Sequence, residues 1–109
     1  MMENIQSIIK LANQFFELEK KVNSKSNGIS FSRNFDRILE SFSEIGLIIH
    51  NPEGEPYNET RTDCDASLAG TYTDGLKITE VIKPIIYIKL KDNEKHLVQR
   101  GVVIVEKIN

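Results

Sequence analysis

The sequence predicts an α+β fold in which an N-terminal helical hairpin is followed by a small antiparallel β domain. Apolar residues recur at helical spacing before Gly46. After Gly46, turn residues separate runs of β-branched residues, the last of them at 102–105. The 109 residues correspond to about one domain. We therefore divide the chain into a helical segment, 1–46, and a β domain, 47–109.

The first helix is predicted over residues 2–23. Its apolar residues follow a three-four spacing that Glu19 interrupts, namely Ile5, Ile8, Ala12, Phe15 and Val22, and the stripe is widened by Ile9, Leu11, Phe16 and Leu18. This stripe either packs inside the hairpin or forms a short coiled-coil seam between two chains. Both roles stay open because the stripe covers about three heptads, which is too short to assign a coiled coil. The polar residues 23–28 then end the helix and let the chain reverse.

A second helix is predicted between Ser30 and Gly46. Its apolar residues again share one face: Phe31, Phe35, Ile38, Leu39, Phe42 and Ile45. Either Ser30 or Ser32 can cap its N-terminus, since a hydroxyl oxygen accepts a free backbone N–H there. Gly46 supplies the C-terminal stop, because glycine readily adopts the left-handed conformation that ends many helices.

The β domain is predicted to begin with a short strand over 47–49. The next residues, Asn-Pro-Glu-Gly-Glu-Pro at 51–56, form a strong turn signal. Residues 57–75 are polar, and they are predicted to form a loop with one or two short strands near 66–72.

Further strands are predicted on both sides of Pro84, at 78–83 and 85–90. A proline is tolerated there at a sheet edge or a bulge. A charged turn at 91–95 leads to the final strands, which lie around Gly101 within 97–105.

Composition narrows the classes of partner. Lys and Arg number 14 against 16 Asp and Glu, so a net charge of −2 offers no excess positive charge to a nucleic acid. The single cysteine, Cys64, cannot form an intramolecular disulfide, and neither a secretory signal nor a run of about 20 apolar residues occurs. We expect a cytoplasmic chain that binds neither nucleic acid nor membrane.

The sequence offers little support for catalysis. A thiol enzyme would need His50 or His96 to activate Cys64, and the neighbouring Asp63 and Asp65 disfavour a thiolate by like charge. Metal ligands at zinc-site spacings and glycine-rich phosphate loops do not occur. We therefore expect a non-enzymatic protein without metal or cofactor, and keep a small thiol enzyme as a remote alternative.

A series of short segments follows the second helix in a fixed order. After the strand at 47–49 come Pro-Glu-Gly at 52–54, Tyr-Asn at 57–58, Gly75, Ile-Thr-Glu-Val at 78–81 and Val-Gln-Arg-Gly-Val-Val-Ile-Val at 98–105. Over residues 31–105 this order resembles the C-terminal part of the GrpE family, the nucleotide exchange factors of DnaK-type chaperones.

The chain departs from the GrpE pattern at several positions. Thr62-Asp63 stands where the family has a His-Glu pair, Ile85-Ile86 stands in place of Gly-Tyr, and Gln99 stands in place of an arginine. The family also has a long paired helical stalk, whereas the first helix here has room for about 20 residues, roughly 30 Å. A homodimer through this helix is left open.

The resemblance implies a cochaperone that binds the ATPase domain of a DnaK-type chaperone, favours its open form and so promotes ADP release. It also implies four partner-binding residues, Tyr57, Glu59, His96 and Val105, of which Glu59 replaces a proline and His96 an arginine. Three of them have a structural alternative: Tyr57 and Val105 could belong to the core, and His96 could be a solvated side chain. An interaction module on the same scaffold without exchange activity is the alternative function.

Overall fold

The computed structural model describes residues 5–25, 30–70 and 75–107, and within them the fold is α+β with two helices followed by strands, as predicted. The helices are α1 (Ile5–Ser24) and α2 (Ser32–Glu44). The strands are β1 (Leu47–His50), β2 (Pro56–Tyr57), β3 (Cys64–Leu68), β4 (Leu76–Lys83), β5 (Ile85–Lys89), β6 (Lys95–Gln99) and β7 (Gly101–Lys107). A short 3-10 helix, Lys91–Asn93, occupies the predicted charged turn.

The strands form two sheets. One has three strands in the order β1-β5-β6, and the other has four in the order β2-β4-β7-β3. Four of the pairs are antiparallel, but β3 runs parallel to β7, which departs from the predicted antiparallel arrangement. A parallel pair needs a long crossover. Here the chain between β3 and β7, which contains β4, β5 and β6, provides it.

The two ends of α2 differ in how well they match the prediction. Gly46 has φ 97° and donates its N–H to the Ser43 carbonyl at 3.0 Å, so the predicted C-terminal stop is confirmed. At the other end Phe31 occupies the N-cap position, and no side chain caps it. Neither serine is therefore the N-cap residue, although the Ser30 hydroxyl accepts the backbone N–H of Ser32, the first residue of α2, at 3.3 Å. The predicted reversal at 23–28 lies partly in residues 26–29, outside the described residues.

The chain passes between the two sheets at Pro84 and again at Arg100. Pro84 separates β4 from β5, and because it has no N–H it contributes no donor at this crossing. At the second crossing, Gly101 lies so close to its neighbours that a Cβ there would be 2.9 Å from Ile85 Cγ1 and 3.4 Å from Cys64 Sγ. The absence of a side chain at Gly101 therefore lets β7 begin directly against β5 and β3.

Two clusters of buried side chains make up the core. The sheet cluster consists of Phe16, Cys64, Leu76, Ile78, Val81, Ile85, Val103 and Val105. The helix cluster consists of Ala12, Phe15, Phe35, Phe42, Leu47 and Ile86. Each cluster contains residues from both helices and strands, so Gly46 marks a change of secondary structure within a core that continues across it.

The apolar stripe of α1 is largely used inside the chain. Ala12 and Phe15 are buried, and the Phe15 ring lies 5.7 Å from the Phe35 ring and 5.9 Å from the Phe42 ring on α2. These contacts favour the first of the two predicted roles for the stripe, packing between the helices. Neither described helix combines the length and apolar character required to cross a bilayer.

Polar contacts fix α1 over the strands. Asn13 and Gln99 exchange two hydrogen bonds of 2.9 Å between their side-chain amides, and the Gln99 amide also donates to the Pro84 carbonyl at 2.9 Å. Lys20 donates to the Val81 carbonyl at 2.7 Å. Gln99, where the resemblance leads one to expect arginine, is thus committed to contacts within the chain.

Candidate protein-binding site

A groove lies on one face of the four-stranded sheet. It has a volume of about 180 Å³ and is lined by Tyr57, Glu59, Ala66, Leu68, Leu76 and Val105. All four strands of the sheet contribute, because Tyr57 lies opposite Leu76 and Leu68 lies opposite Val105 in the strand register. Directly opposed residues share a face of a sheet, which explains why positions so distant in the sequence meet here. We call this feature the sheet groove.

The sheet groove has a buried floor and an accessible rim. Val105 is 1% exposed and belongs to the sheet cluster, as does Leu76. Tyr57 is half-buried against the same cluster, while Leu68 and Glu59 are exposed. Val105 is therefore a core residue, which was the structural alternative to its predicted role in partner binding. It shapes the floor but offers a partner little surface.

The structure brings three of the four predicted partner-binding residues together and leaves the fourth apart. His96 lies on β6 in the three-stranded sheet, opposite Ile88, with an exposed side chain. It does not line the sheet groove. The separation from Val105 follows from the crossing at Arg100, because β6, directly before it, belongs to the three-stranded sheet and β7, directly after it, belongs to the four-stranded sheet.

A network of charged side chains lies beside the segment that carries Tyr57 and Glu59. Arg61 donates to Glu55 at 2.7 Å and to Asp63 at 2.6 Å and 3.3 Å. Glu55 also pairs with His50 Nε2 at 2.6 Å. We call these four residues the Arg61 network. The sequence prediction did not include Arg61 or Glu55, because salt bridges across an irregular loop have no characteristic spacing.

The Arg61 network keeps its carboxylates ionised. Burial acts to raise the pKa of Glu55, but hydrogen bonds from Arg61 and His50 outweigh it, and the pKa lies below its usual value. The hydrogen bond from Arg61 likewise lowers the pKa of Asp63 against the effect of burial. Bonds to Asp63 and Glu55 raise the pKa of Arg61. Glu55, Asp63 and Arg61 are therefore charged at neutral pH.

Cys64 is poorly suited to be a nucleophile. Its side chain is buried, and burial together with the Asp63 charge raises the pKa of the thiol to about 11. His50, one of the two candidate bases, is paired with Glu55. Among the described residues, no group of three or more His, Cys, Asp or Glu side chains could hold a metal ion.

A second apolar groove lies between the helices. It has a volume of about 470 Å³ and is lined by Leu11, Gln14, Phe15, Leu18, Ile38 and Phe42. Leu11 and Leu18 are both exposed and stand one heptad apart on α1. We call this feature the helix groove. It lies beside the stripe that the sequence offered as a coiled-coil seam.

Comparisons of the chain with protein-family models, with curated proteins and with solved structures each find no match.

Proposed function

We propose that this chain is a GrpE-like cochaperone that binds the ATPase domain of a DnaK-type chaperone through the sheet groove and promotes ADP release. The observation that supports the proposal is the meeting of Tyr57, Glu59 and Val105 at one groove. Those residues come from β2, the loop after it and β7. The resemblance implies that they share a role in partner binding, and their meeting at one groove is what such a shared role requires. The single free thiol suits the reducing cytoplasm, which we propose as the compartment.

The character of the groove suits a docking role. Protein interfaces typically have apolar or aromatic anchors surrounded by polar groups. Here the aromatic ring of Tyr57 and the exposed aliphatic side chain of Leu68 flank a buried floor, and Glu59 supplies a charge at the rim. A partner could thus bury two apolar side chains without exposing the core of this domain.

The mechanism requires no reacting group on this chain. A docked protein promotes release by binding the open state of the ATPase domain more tightly than the closed state. A difference of about 5.5 kcal/mol moves a two-state equilibrium from 1:99 to 99:1. The work is done by differential binding, so a buried and protonated Cys64 is no obstacle to it.

Release of labelled ADP from a DnaK-type chaperone, followed by stopped flow, tests the proposal. Release should become faster when the protein is added, and Leu68→Ala should weaken this acceleration because Leu68 lines the groove. Leu90→Ala is the matched control, since Leu90 lies outside the groove and is 49% exposed against 40% for Leu68. Unchanged release with every DnaK-type chaperone of the same cell would refute the proposal.

A second candidate is an interaction module that binds the chaperone without promoting exchange. Two observations favour it: His96 lies on the other sheet, and the Gln99 amide is held by Asn13 and Pro84. Two positions that are arginines in the GrpE pattern are thus neither arginine nor part of the groove. This candidate predicts that the chaperone is retained in a pull-down while the ADP release rate stays the same.

We also propose a homodimer in which the helix grooves of two copies face each other. Leu11 and Leu18 are exposed at heptad spacing, and most of the residues lining this groove are apolar. Sedimentation equilibrium should show a dimer that Leu18→Glu converts to a monomer, because a carboxylate would be buried at the seam. Lys21→Glu, on an exposed position of the same helix, should leave the dimer intact. A wild-type protein that stays monomeric up to its solubility limit would contradict the proposal.

A further inference from the structure

The loop that follows Tyr57 and presents Glu59 to the sheet groove has mostly local hydrogen bonds. Between β2 and β3, the Arg61 N–H donates to the Asn58 carbonyl at 3.1 Å, and the Asn58 side chain accepts the Thr60 N–H at 3.0 Å. These bonds begin and end within the segment. They shape it locally but do not attach it to the sheets.

The Arg61 side chain reaches both ends of this segment. At the start, it donates to the Pro56 carbonyl at 3.1 Å and to the Glu55 carboxylate at 2.7 Å. At the end, it donates to both oxygens of Asp63, at 2.6 Å and 3.3 Å. Its side chain is only 18% exposed, so solvent and salt screen these pairs less than they screen a surface ion pair.

The ends of the segment are attached to the rest of the fold. The Ile78 N–H donates to the Glu55 carbonyl at 2.9 Å, and the Gly101 N–H donates to the Asp63 carbonyl at 2.9 Å. The Glu55 side chain also pairs with His50 at the end of β1. By joining Glu55 to Asp63, Arg61 therefore spans two anchored points and closes the loop between them.

We propose that Arg61 is a positioning residue that holds the loop part of the 56–63 segment in one conformation, so that Glu59 joins Tyr57, which β2 already places, at the rim of the sheet groove for a protein partner. The role in partner binding rests on the proposed function. The ordering of the segment does not, because it concerns the free chain alone.

The geometry needs arginine in particular. A guanidinium group has five N–H donors in a planar fork, and four hydrogen bonds from Arg61 use this fork toward two carboxylates and a carbonyl. A lysine ammonium carries the same charge on a single nitrogen and cannot serve both ends of the segment at once. Arg61→Lys should therefore behave much like Arg61→Gln, which a role based on charge alone would not predict.

Hydrogen exchange of the free protein tests the ordering. Amides of residues 58–62, in the loop part of the 56–63 segment, should exchange about tenfold faster in Arg61→Gln and in Arg61→Lys than in the wild type, whereas amides of β4 and β7 should be unchanged. Arg100→Gln is the matched control, since Arg100 also pairs with a carboxylate, Asp65, at 2.7 Å and with the Cys64 carbonyl at 2.8 Å. It should leave exchange in 56–63 unaltered. Equal exchange in wild type and Arg61→Gln would overturn the proposal.

Binding to a purified DnaK-type ATPase domain tests the positioning role. Arg61→Gln should weaken binding about tenfold, whereas Arg100→Gln should not. If the wild type does not bind, the proposed function fails and the exchange measurement alone decides whether Arg61 orders the segment. Faster exchange in 56–63 with unchanged affinity would overturn the positioning role while leaving the proposed function standing.

The effect of Arg61 should disappear in acid. Glu55 and Asp63 have lowered pKa values in the folded protein, so their pairing with Arg61 is fully present above their usual values of about 4 and is lost as pH falls through the folded values. The difference in exchange between wild type and Arg61→Gln, compared at equal pH, should therefore shrink as the pH falls below about 4 and vanish once both carboxylates are protonated. His50, Cys64 and Tyr87 also face this network, and the raised pKa values of Cys64 and Tyr87 keep both of them neutral in acid. A difference in exchange that persists in strong acid would contradict the proposal that ion pairs of Arg61 with Glu55 and Asp63 order the segment.

Discussion

Replacing Ile85 with alanine is expected to lower the free energy of unfolding by about 2–5 kcal/mol, the usual cost of truncating a buried isoleucine. Ile85 is 0% exposed and belongs to the sheet cluster at the start of β5. The Ile85 side chain also lies against Gly101, the first residue of β7. The cavity left by the alanine would therefore lie between β5 and β7, which have little freedom to close it. Denaturation by urea, followed by circular dichroism, measures the change.

Ile82→Ala is the matched control for this experiment. Ile82 lies on β4, the strand that precedes β5 in the sequence, and it is 46% exposed. Its truncation removes the same atoms as Ile85→Ala, but from a side chain that is partly in contact with water. We expect a change below about 1 kcal/mol. Equal destabilisation by the two variants would show that the sheet cluster is not packed as described.

Replacing Tyr57 with alanine is expected to reduce affinity for the chaperone ATPase domain about 30-fold or more, the effect of losing an aromatic hot spot. Tyr57 is half-buried at the rim of the sheet groove, where its ring is available to a partner. Tyr57→Phe keeps the ring and should retain most of the affinity. Isothermal titration calorimetry gives both values.

The thermal unfolding of each Tyr57 variant must be measured alongside, because this ring also packs against the sheet cluster. An alanine variant that remains folded at the assay temperature and binds as tightly as the wild type would exclude the sheet groove as the docking site. A variant that binds poorly but gives the wild-type hydrogen-exchange pattern in β4 and β7 would support it.

Local signals predicted most of the fold. The apolar spacing before Gly46, the turn at 51–56 and the interruption at Pro84 each depend on neighbouring residues, and the helices, β1 and the β4–β5 boundary appear where these signals lie. The parallel pairing of β3 with β7 depends on residues far apart in the sequence, so no local sequence pattern predicts it. Nor could the spacing show that Phe15 and Phe16 enter different clusters.

The candidate site was only partly predictable for the same reason. Tyr57, Glu59 and Val105 were named from a resemblance, and their meeting depends on the strand register of one sheet. His96 is separated from Val105 because the chain changes sheets at Arg100, four residues later. Arg61 was missed because its partners are set by the path of an irregular loop, and that path has no periodicity to detect.

The strand order has a consequence for biosynthesis. Of the seven strands in the described residues, β7 is made last, yet it lies between β4 and β3 and hydrogen bonds to both. A nascent chain that lacks it has no template for β3, and both neighbours expose unpaired edges. The four-stranded sheet therefore cannot be completed during synthesis until β7 has been made, and products truncated before Gly101 are expected to be substrates for quality control.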